Sequence, residues 1–468
     1  MRLFDTLTNR VEEIVPSNAD GVVRIYACGP TVYRYVHLGN LRTFLLSDLI
    51  RRALEFEGRR VLLVMNITDV GHMTDDSSGQ AVDRMQIAMD DEGLAPLEIA
   101  EKYTKAFLED TAAIAIRPAD VYPKATDHIP EMLELTRSLV ERGHAYATED
   151  GSVYFDVRSF PGYGRLSGNS IDKLKPGHRD LEEAPGKRHH ADFSLWKTAG
   201  ANRAMKWDSP WGEGFPGWHI ECSAMSMKYL GDRFDLHTGG NDLKFPHHED
   251  EIAQSDAATG HPVVSAWAHG GFLRLSGQKI SKSAGNVVLV RDLLERGIDP
   301  LAYRYLTFQT RYRSEMDLSL EAVEAADTGL RRLRNRMAGW AEAPRPAPNE
   351  LSDPARALDA RFREAVADDL DLPRALVALN EAVHSDGLAD GEKYVLLASW
   401  DQVLGVDLER VAREGYDIPA EVVALVGERD AAREAKDYAR SDEIRDRLIQ
   451  MGYEVMDLAE GTQVRPRD

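Results

Sequence analysis

VVRIYACGPTVYRYVHLGNLRTFLLSDLIRRALEFEGRRVLLVMN, running from Val22 to Asn66, changes its apolar period twice. It starts as an apolar run of strand character ending in Cys28, breaks at Gly29-Pro30, and reaches His37-Leu38-Gly39-Asn40. Leu41, Phe44, Leu45, Leu49, Ala53, Leu54 and Phe56 follow at helical spacing, with Gly58 placed as the C-terminal cap. Residues 61–66, VLLVMN, then read as a second buried strand. Strand, loop, helix and strand make a βαβ unit, whose parallel strands need helices on their faces. His37 and Gly39 fall where the first strand hands over to its helix, under backbone N–H groups that favour an anion. The stretch therefore predicts a phosphate site in an α/β fold.

Two familiar phosphate fingerprints are excluded, because the loop holds neither GxGxxG nor GxxxxGK. Far downstream a basic loop, Gln278-Lys279-Ile280-Ser281-Lys282-Ser283 followed by Ala284-Gly285-Asn286, lies between two apolar stretches. With HLGN and KISKS in one chain, the sequence resembles the class I aminoacyl-tRNA synthetases, HLGN standing for their HIGH motif and KISKS for KMSKS. The pairing carries the resemblance; either string alone is a common loop.

Composition sets the outer limits. At 468 residues the chain exceeds the ~250–300 residues of a single core, so several domains are expected. Its apolar content of 43% is ordinary for a soluble protein, no apolar run approaches the ~18–20 residues of a membrane span, and MRLFDTLTNR lacks the pattern of a secretory signal. The expectation is a cytoplasmic protein, and a monomer, because no spare amphipathic seam stands out. A net charge of −21 argues against indiscriminate nucleic-acid binding but not against an RNA gripped by local patches. Arg331-Arg332-Leu333-Arg334-Asn335-Arg336 is one such patch or, equally, a solvated helix face. Two cysteines far apart, Cys28 and Cys222, favour metal binding or reactivity over a disulfide.

A metal set can be assembled from residue types. His247 and Glu251 are four apart, so they share one face if Pro246 opens a helix. With the two thiols they supply two sulfurs, one imidazole and one carboxylate, a donor set suited to tetrahedral zinc. His219, His237 and His248 compete for the imidazole place.

PGWHIECSAMS around Cys222, FPHHEDEIAQS around His247 and CGPTVYRYVHLGNLRTF at the front narrow the resemblance to the cysteinyl-tRNA synthetases. It runs nearly end to end, through the terminal REAKDYARSDEIRDRL and GTQV. The resemblance implies one Zn²⁺ per chain on Cys28, Cys222, His247 and Glu251, receiving the substrate thiolate. It implies amino-acid contacts from Thr68, Trp218 and Asp242, and ATP contacts, with Mg²⁺, from His37, Gly39, Asn40, Lys279 and Lys282. The implied partners are L-cysteine, ATP and tRNA(Cys). A metal has a physical purpose here: serine is nearly isosteric with cysteine, and shape alone separates such pairs by only ~1–3 kcal/mol. Four protein ligands would depart from the usual three of catalytic zinc. Two further departures are Asn40 in place of the second histidine of HIGH, and Val70-Gly71-His72 where the family commonly has acidic and basic residues.

The expected architecture is α/β, a Rossmann-like parallel sheet with an inserted connective domain, then all-α stem-contact and anticodon-binding regions. Residues 1–120 and 201–290 form the two halves of the catalytic domain around an insertion at 121–200. A stem-contact region at 291–345, a helical bundle at 346–415 and an anticodon-binding domain at 416–468 follow. Strand signals vanish beyond about Val290. Two rivals stand beside the tRNA reading. One is a cysteine-activating ligase with an amino-sugar acceptor, which would not need the terminal module; the other is a silent RNA-binding paralogue, which would not need the intact motifs.

Overall fold

The structure, a computed structural model, describes residues 1–70, 73–75, 81–171, 186–200, 203–275, 278–279, 287–414, 416, 418–458 and 461–466. Its centre is the βαβ unit. The strand Val22–Ala27 pairs in parallel with Arg60–Met65, and the helix Leu38–Phe56 connects them. Leu38, Leu41, Leu45, Leu49, Ala53 and Leu54 form the buried stripe that seats this helix. Gly58, at φ 80°, lies just past its last turn, where a left-handed residue ends a helix without strain.

Two more parallel strands complete the sheet, in the order Val264–Gly270, Phe234–Gly240, Val22–Ala27, Arg60–Met65. The strand Val22–Ala27 therefore has a later strand on one side and the next strand in sequence on the other. Strand order reverses there, and open α/β sheets bind ligands beyond the carboxyl ends of strands at such a point. Cys28 leaves the first strand at that edge, and Gly240 ends its neighbour.

An antiparallel sheet follows the order Gly214–Pro216, Phe193–Thr198, Val153–Phe155, Ala145–Ala147, so it runs on to Pro216. A smaller sheet joins Leu273–Leu275 to Gln278–Lys279 and, in parallel, to Met316–Leu318. That last strand corrects the expectation of no strand beyond Val290. Three residues are too few to show a period, and their partner strand rather than their own pattern makes them extended. Tyr453–Leu458 and Gly461–Pro466 add an antiparallel hairpin near the end.

The chain divides into two compact units, Met1–Ser319 with Glu364–Pro373, and Leu320–Arg363 with Arg374–Asp468. In the first, the Asp369 carboxylate accepts from Phe4 N (2.9 Å), Tyr312 Oη (2.7 Å) and Arg313 Nη2 (2.7 Å). In the second, helices pack around Phe362 and Trp400, whose rings stack with centroids 4.6 Å apart. The arginine-rich stretch lies on the helix Leu320–Gly339 and is not one surface. Arg334 is buried, donating through Nη2 to the Val406 carbonyl at 2.8 Å, whereas Arg332 and Arg336 are exposed. Only those two of its four arginines fit the RNA-patch reading. No helix of the described residues is long and apolar enough to cross a membrane.

Candidate active site and metal centre

His37 is the N-cap of the helix Leu38–Phe56, and the cap is reciprocal. Asn40 N donates to His37 Nδ1 at 3.1 Å, and His37 N donates to Asn40 Oδ1 at 3.2 Å. An Nδ1 that accepts must be unprotonated, so the neutral ring carries its hydrogen on Nε2. Burial, followed by the nearby Arg34 charge, pushes His37 down to about 4, so the ring is neutral at pH 7. Asn40 uses its oxygen on the cap and keeps its amide N–H groups. Asparagine in place of the family's second histidine therefore closes the helix start and still offers donors.

Both flanks of the basic loop meet this helix. Arg42, buried, donates through Nη1 to the Gly271 and Phe272 carbonyls at 2.8 and 2.9 Å. Leu38 N donates to Val288 O at 3.0 Å. Lys279 lies on the strand Gln278–Lys279. Lys282, and Gly71 and His72 of the departure after Asp69, lie outside the described residues.

The metal candidates converge at the switch point of the sheet. Cys28 follows the central strand, Cys222 sits on the helix Trp218–Leu230, and His247 and Glu251 flank the start of the helix Glu249–Thr259. Pro246 does not open that helix directly. Lys244–His248 form a wide turn, with Phe245 at a non-helical φ of −144°, before it begins. The pairing survives all the same, with His247 Nε2 3.0 Å from Glu251 Oε1. Ligand atoms of Cys28, Cys222, His247 and Glu251, all buried, lie within 4.8 Å of one another. So do those of Cys28, His237, His248 and Glu251. The two quartets share a thiol and a carboxylate, and His219 belongs to neither.

The surrounding contacts sort the imidazoles. His219 Nδ1 lies 2.8 Å from His247 Nδ1, and its Nε2 lies 3.3 Å from Asp250 Oδ2, which accepts from Tyr163 on its other oxygen. His237 Nε2 is 2.9 Å from Glu251 Oε2, its ring stacked on Trp267. His248 Nε2 is 3.2 Å from Cys28 Sγ, while its Nδ1 meets His269 Nε2 at 2.8 Å and His269 Nδ1 meets Thr6 Oγ1 at 2.8 Å.

Taken by themselves these groups polarise one another. Burial raises Glu251, but the imidazoles of His237 and His247 outweigh it and hold the carboxylate down to about 2. Burial lowers His247, and the Glu251 charge with Cys222 overcomes it, lifting the ring to about 10. Burial pushes the Cys28 thiol up, while the hydrogen bond from Cys28 pulls Cys222 down. Burial alone dominates at His248 and His269, both pushed down, the latter to about 3. Two sulfurs, an imidazole and an anionic carboxylate around one point fit zinc better than a hard oxygen-seeking cation.

The remaining candidates are placed unevenly. The Trp218 ring lies beside His247, centroids 4.4 Å apart. Asp242 is exposed on the turn after Gly240, folded so closely over it that a Cβ there would come within 2.4 Å of its Oδ1. Thr68 is buried at the end of the segment that follows Arg60–Met65 and donates to Glu221 Oε2 at 3.1 Å. Glu221, fully buried and pushed well up by that burial, was not singled out from the sequence. Its only signal is its place beside Cys222.

Comparison with known proteins identifies the family. Residues 14–328 match the family described as the class I (C) tRNA synthetase catalytic domain, and residues 416–465 match the cysteinyl-tRNA ligase anticodon binding domain. The chain is 42% identical to a cysteine–tRNA ligase of Salinibacter ruber, over 100% of this chain and 98% of that one. It is 44% identical to one of Thermus thermophilus, over 99% and 98%. Among solved structures, methionyl-tRNA synthetase of Mycobacterium tuberculosis with methionyl-adenylate shares the fold, at TM-score 0.56 and 16% identity, covering 82% of this chain and 90% of that one. Family matches and full-length relatives together leave one assignment: the chain belongs to the cysteinyl-tRNA synthetase family of class I tRNA synthetases.

Proposed function

We propose that this protein is a cysteine–tRNA ligase, activating L-cysteine with ATP and transferring it to the 3′ end of tRNA(Cys). The observation that carries the reading is the buried Cys28, Cys222, His247 and Glu251 quartet at the sheet's switch point, its ligand atoms within 4.8 Å. We assign the metal to this quartet because two thiolates make the softer set. A zinc ion held by these four residues would supply a soft Lewis acid, one that would favour the substrate's thiolate over the hydroxyl of serine.

The second histidine set supports the shared ligands. With Cys28 as thiolate, His248 donates from Nε2 to the sulfur, accepts at Nδ1 from His269, and His269 accepts at Nδ1 from Thr6. His247 bound through Nε2 donates from Nδ1 to His219, which donates onward to Asp250. Each ring is held in one tautomer by its outer partner, the usual means of fixing a ligand.

In the first step the cysteine carboxylate attacks the α-phosphorus of ATP in line; the bond to the bridging oxygen breaks and pyrophosphate leaves, its charge one that Mg²⁺ carried by ATP would offset. Such a transfer needs positioning and charge stabilisation more than protein nucleophiles. His37 donates from Nε2 and Asn40 from its amide to phosphate oxygens, and Gly39 admits them close to the backbone. Lys279 and Lys282 bring positive charge to the leaving pyrophosphate, Lys282 the more. Trp218 and Asp242 border the amino-acid pocket. In the second step a ribose hydroxyl of the tRNA end attacks the acyl carbon and AMP leaves. The segment from 416 onward reads the anticodon.

The test is charging of total tRNA with labelled cysteine and, in parallel, labelled serine. Cysteine alone should be charged. Cysteine-dependent pyrophosphate exchange with no label on tRNA would move the reading to the amino-sugar ligase, and no exchange to a silent paralogue.

A further inference from the structure

Glu221 is a carboxyl side chain with no solvent exposure, inside the catalytic unit, and the chemistry above leaves it without a task. Its contact with Thr68 belongs to a longer chain whose polarity is set at the far end. Gly29 N, a donor that cannot reverse, gives its hydrogen to Asn66 Oδ1 at 2.8 Å. The approach is close: a Cβ on Gly29 would come within 1.7 Å of the Asn66 carbonyl oxygen. With its oxygen thus assigned, the Asn66 amide presents Nδ2, which donates to Thr68 Oγ1 at 3.0 Å. Thr68 has one hydroxyl hydrogen, and it goes to Glu221 Oε2 at 3.1 Å. Asn66, Thr68 and Glu221 are 1%, 2% and 0% exposed, so water does not compete for these directions.

The consequence is stereoelectronic. A hydroxyl carries one donor and two acceptor sites. Here the donor is committed to Glu221 and one lone pair to Asn66, leaving a single lone pair that takes no donor among the described residues. Thr68 is therefore an acceptor only. The chain also ties Thr68 to the neighbours of both thiols, since Gly29 follows Cys28 and Glu221 precedes Cys222. An α-ammonium group is donor only, and on a cysteine held by its sulfur it lies within a few bonds of that anchor.

We propose that Glu221 is a positioning residue for amino-acid recognition: by taking the Thr68 hydrogen it turns the Thr68 lone pair toward the α-ammonium of the substrate. This rests on the reading of the site as a cysteine-activating one. Glu221 touches no reacting atom and acts through Thr68.

The experiment compares wild type, Glu221→Ala, Glu221→Gln and Thr68→Val in cysteine-dependent ATP–pyrophosphate exchange, with 3-mercaptopropionate, cysteine without its amino group, as competitive inhibitor. Bound zinc is measured for each protein. Glu221→Ala should raise the KM for cysteine roughly tenfold or more, as expected for losing a hydrogen bond to a charged group. The inhibition constant of 3-mercaptopropionate should move less than about twofold, with zinc content unchanged. Glu221→Gln, which keeps an acceptor oxygen, should recover most of the loss. Should Glu221→Ala fold poorly, Thr68→Val is expected to show the same selective loss. If cysteine and 3-mercaptopropionate weaken together, or zinc is lost, Glu221 supports the metal site or the fold and the proposal falls. If neither changes, it falls as well. A wild-type protein without cysteine-dependent exchange would overturn the activity itself, an outcome readily told from the other two.

Discussion

Two buried polar clusters of the catalytic unit invite comparison, because they use similar groups to opposite ends. Asp48, Arg52 and Arg304 lie in the interior, with Asp48 Oδ2 2.8 Å from both Arg52 Nε and Arg304 Nη2. The arginines also donate outward, Arg52 to the Ala115 carbonyl at 2.7 Å and Arg304 to those of Ile114 and Ala115 at 3.1 and 3.0 Å. Arg117 N supplies the other Asp48 oxygen at 3.0 Å. Guanidinium groups face a carboxylate and backbone carbonyls, and the charges offset one another within the protein. Around Cys28 and Glu251 the groups are of another kind: two sulfurs, a carboxylate and imidazole nitrogens, all able to serve as metal ligands, bring those atoms within 4.8 Å of one another in two overlapping quartets. Thiols and imidazoles gathered in a dry interior are soft donors of the kind that hold zinc. A buried polar cluster thus reads as structure when guanidinium meets carboxylate and carbonyl, and as a ligand site when soft donors converge.

The largest effect should come from breaking the second cluster. Stripping metal with a chelator is expected to lower cysteine-dependent exchange more than about a hundredfold, beyond the 10–100-fold typical of losing an outer-shell partner. Zinc should restore it. Any residual activity should have lost its preference for cysteine over serine; retention of that preference in metal-free protein would end the idea that the quartet discriminates.

Breaking the first cluster should cost stability instead. Asp48→Ala strands two buried guanidinium groups and is expected to destabilise by about 3–5 kcal/mol, read from the denaturation midpoint. The KM for cysteine in the fraction that remains folded should be unaltered. A large change in KM with an unchanged midpoint would erase the distinction between the two clusters.

His37 sharpens the comparison on pH. Its folded-state value of about 4 lies below the ordinary histidine value of 6.5, so the ring stays neutral in the native protein while the unfolded chain takes up a proton. Its contribution is therefore intact above pH 6.5 and lost as pH falls from 6.5 through 4. The His37 ring resonance should show no titration between pH 5.5 and 8; a midpoint near 6.5 would mean that burial beside Arg34 does not control its charge.

The smallest effect expected is from Asn40→Ala. It removes the carboxamide half of the helix cap and should cost about 1 kcal/mol of stability. It should also weaken ATP binding, measurable as a higher KM for ATP at constant KM for cysteine.

Legibility in the sequence follows contact range. The strands around Cys28 and Met65 and the helix between them were readable because their packing face repeats within a few residues. The metal quartet was readable by residue type and family resemblance, with His237 and His248 noted as competitors but not as a second set. That set was hidden because His248 meets Cys28 across 220 positions and shows no local period. Arg334 looked like surface charge until the Val406 carbonyl, 72 positions away, was found beside it.

Periodicity and backbone chemistry act over one turn or one strand, so the chain alone determined its βαβ centre, the helix start at HLGN and the donor types available for a metal. Only the tertiary structure decided which donor atoms converge, which imidazoles lie beside them and which carboxyl group the Thr68 hydroxyl meets. Hydrogen bonds and coordination depend on ångström distances between atoms whose separation along the chain carries no information about their separation in space.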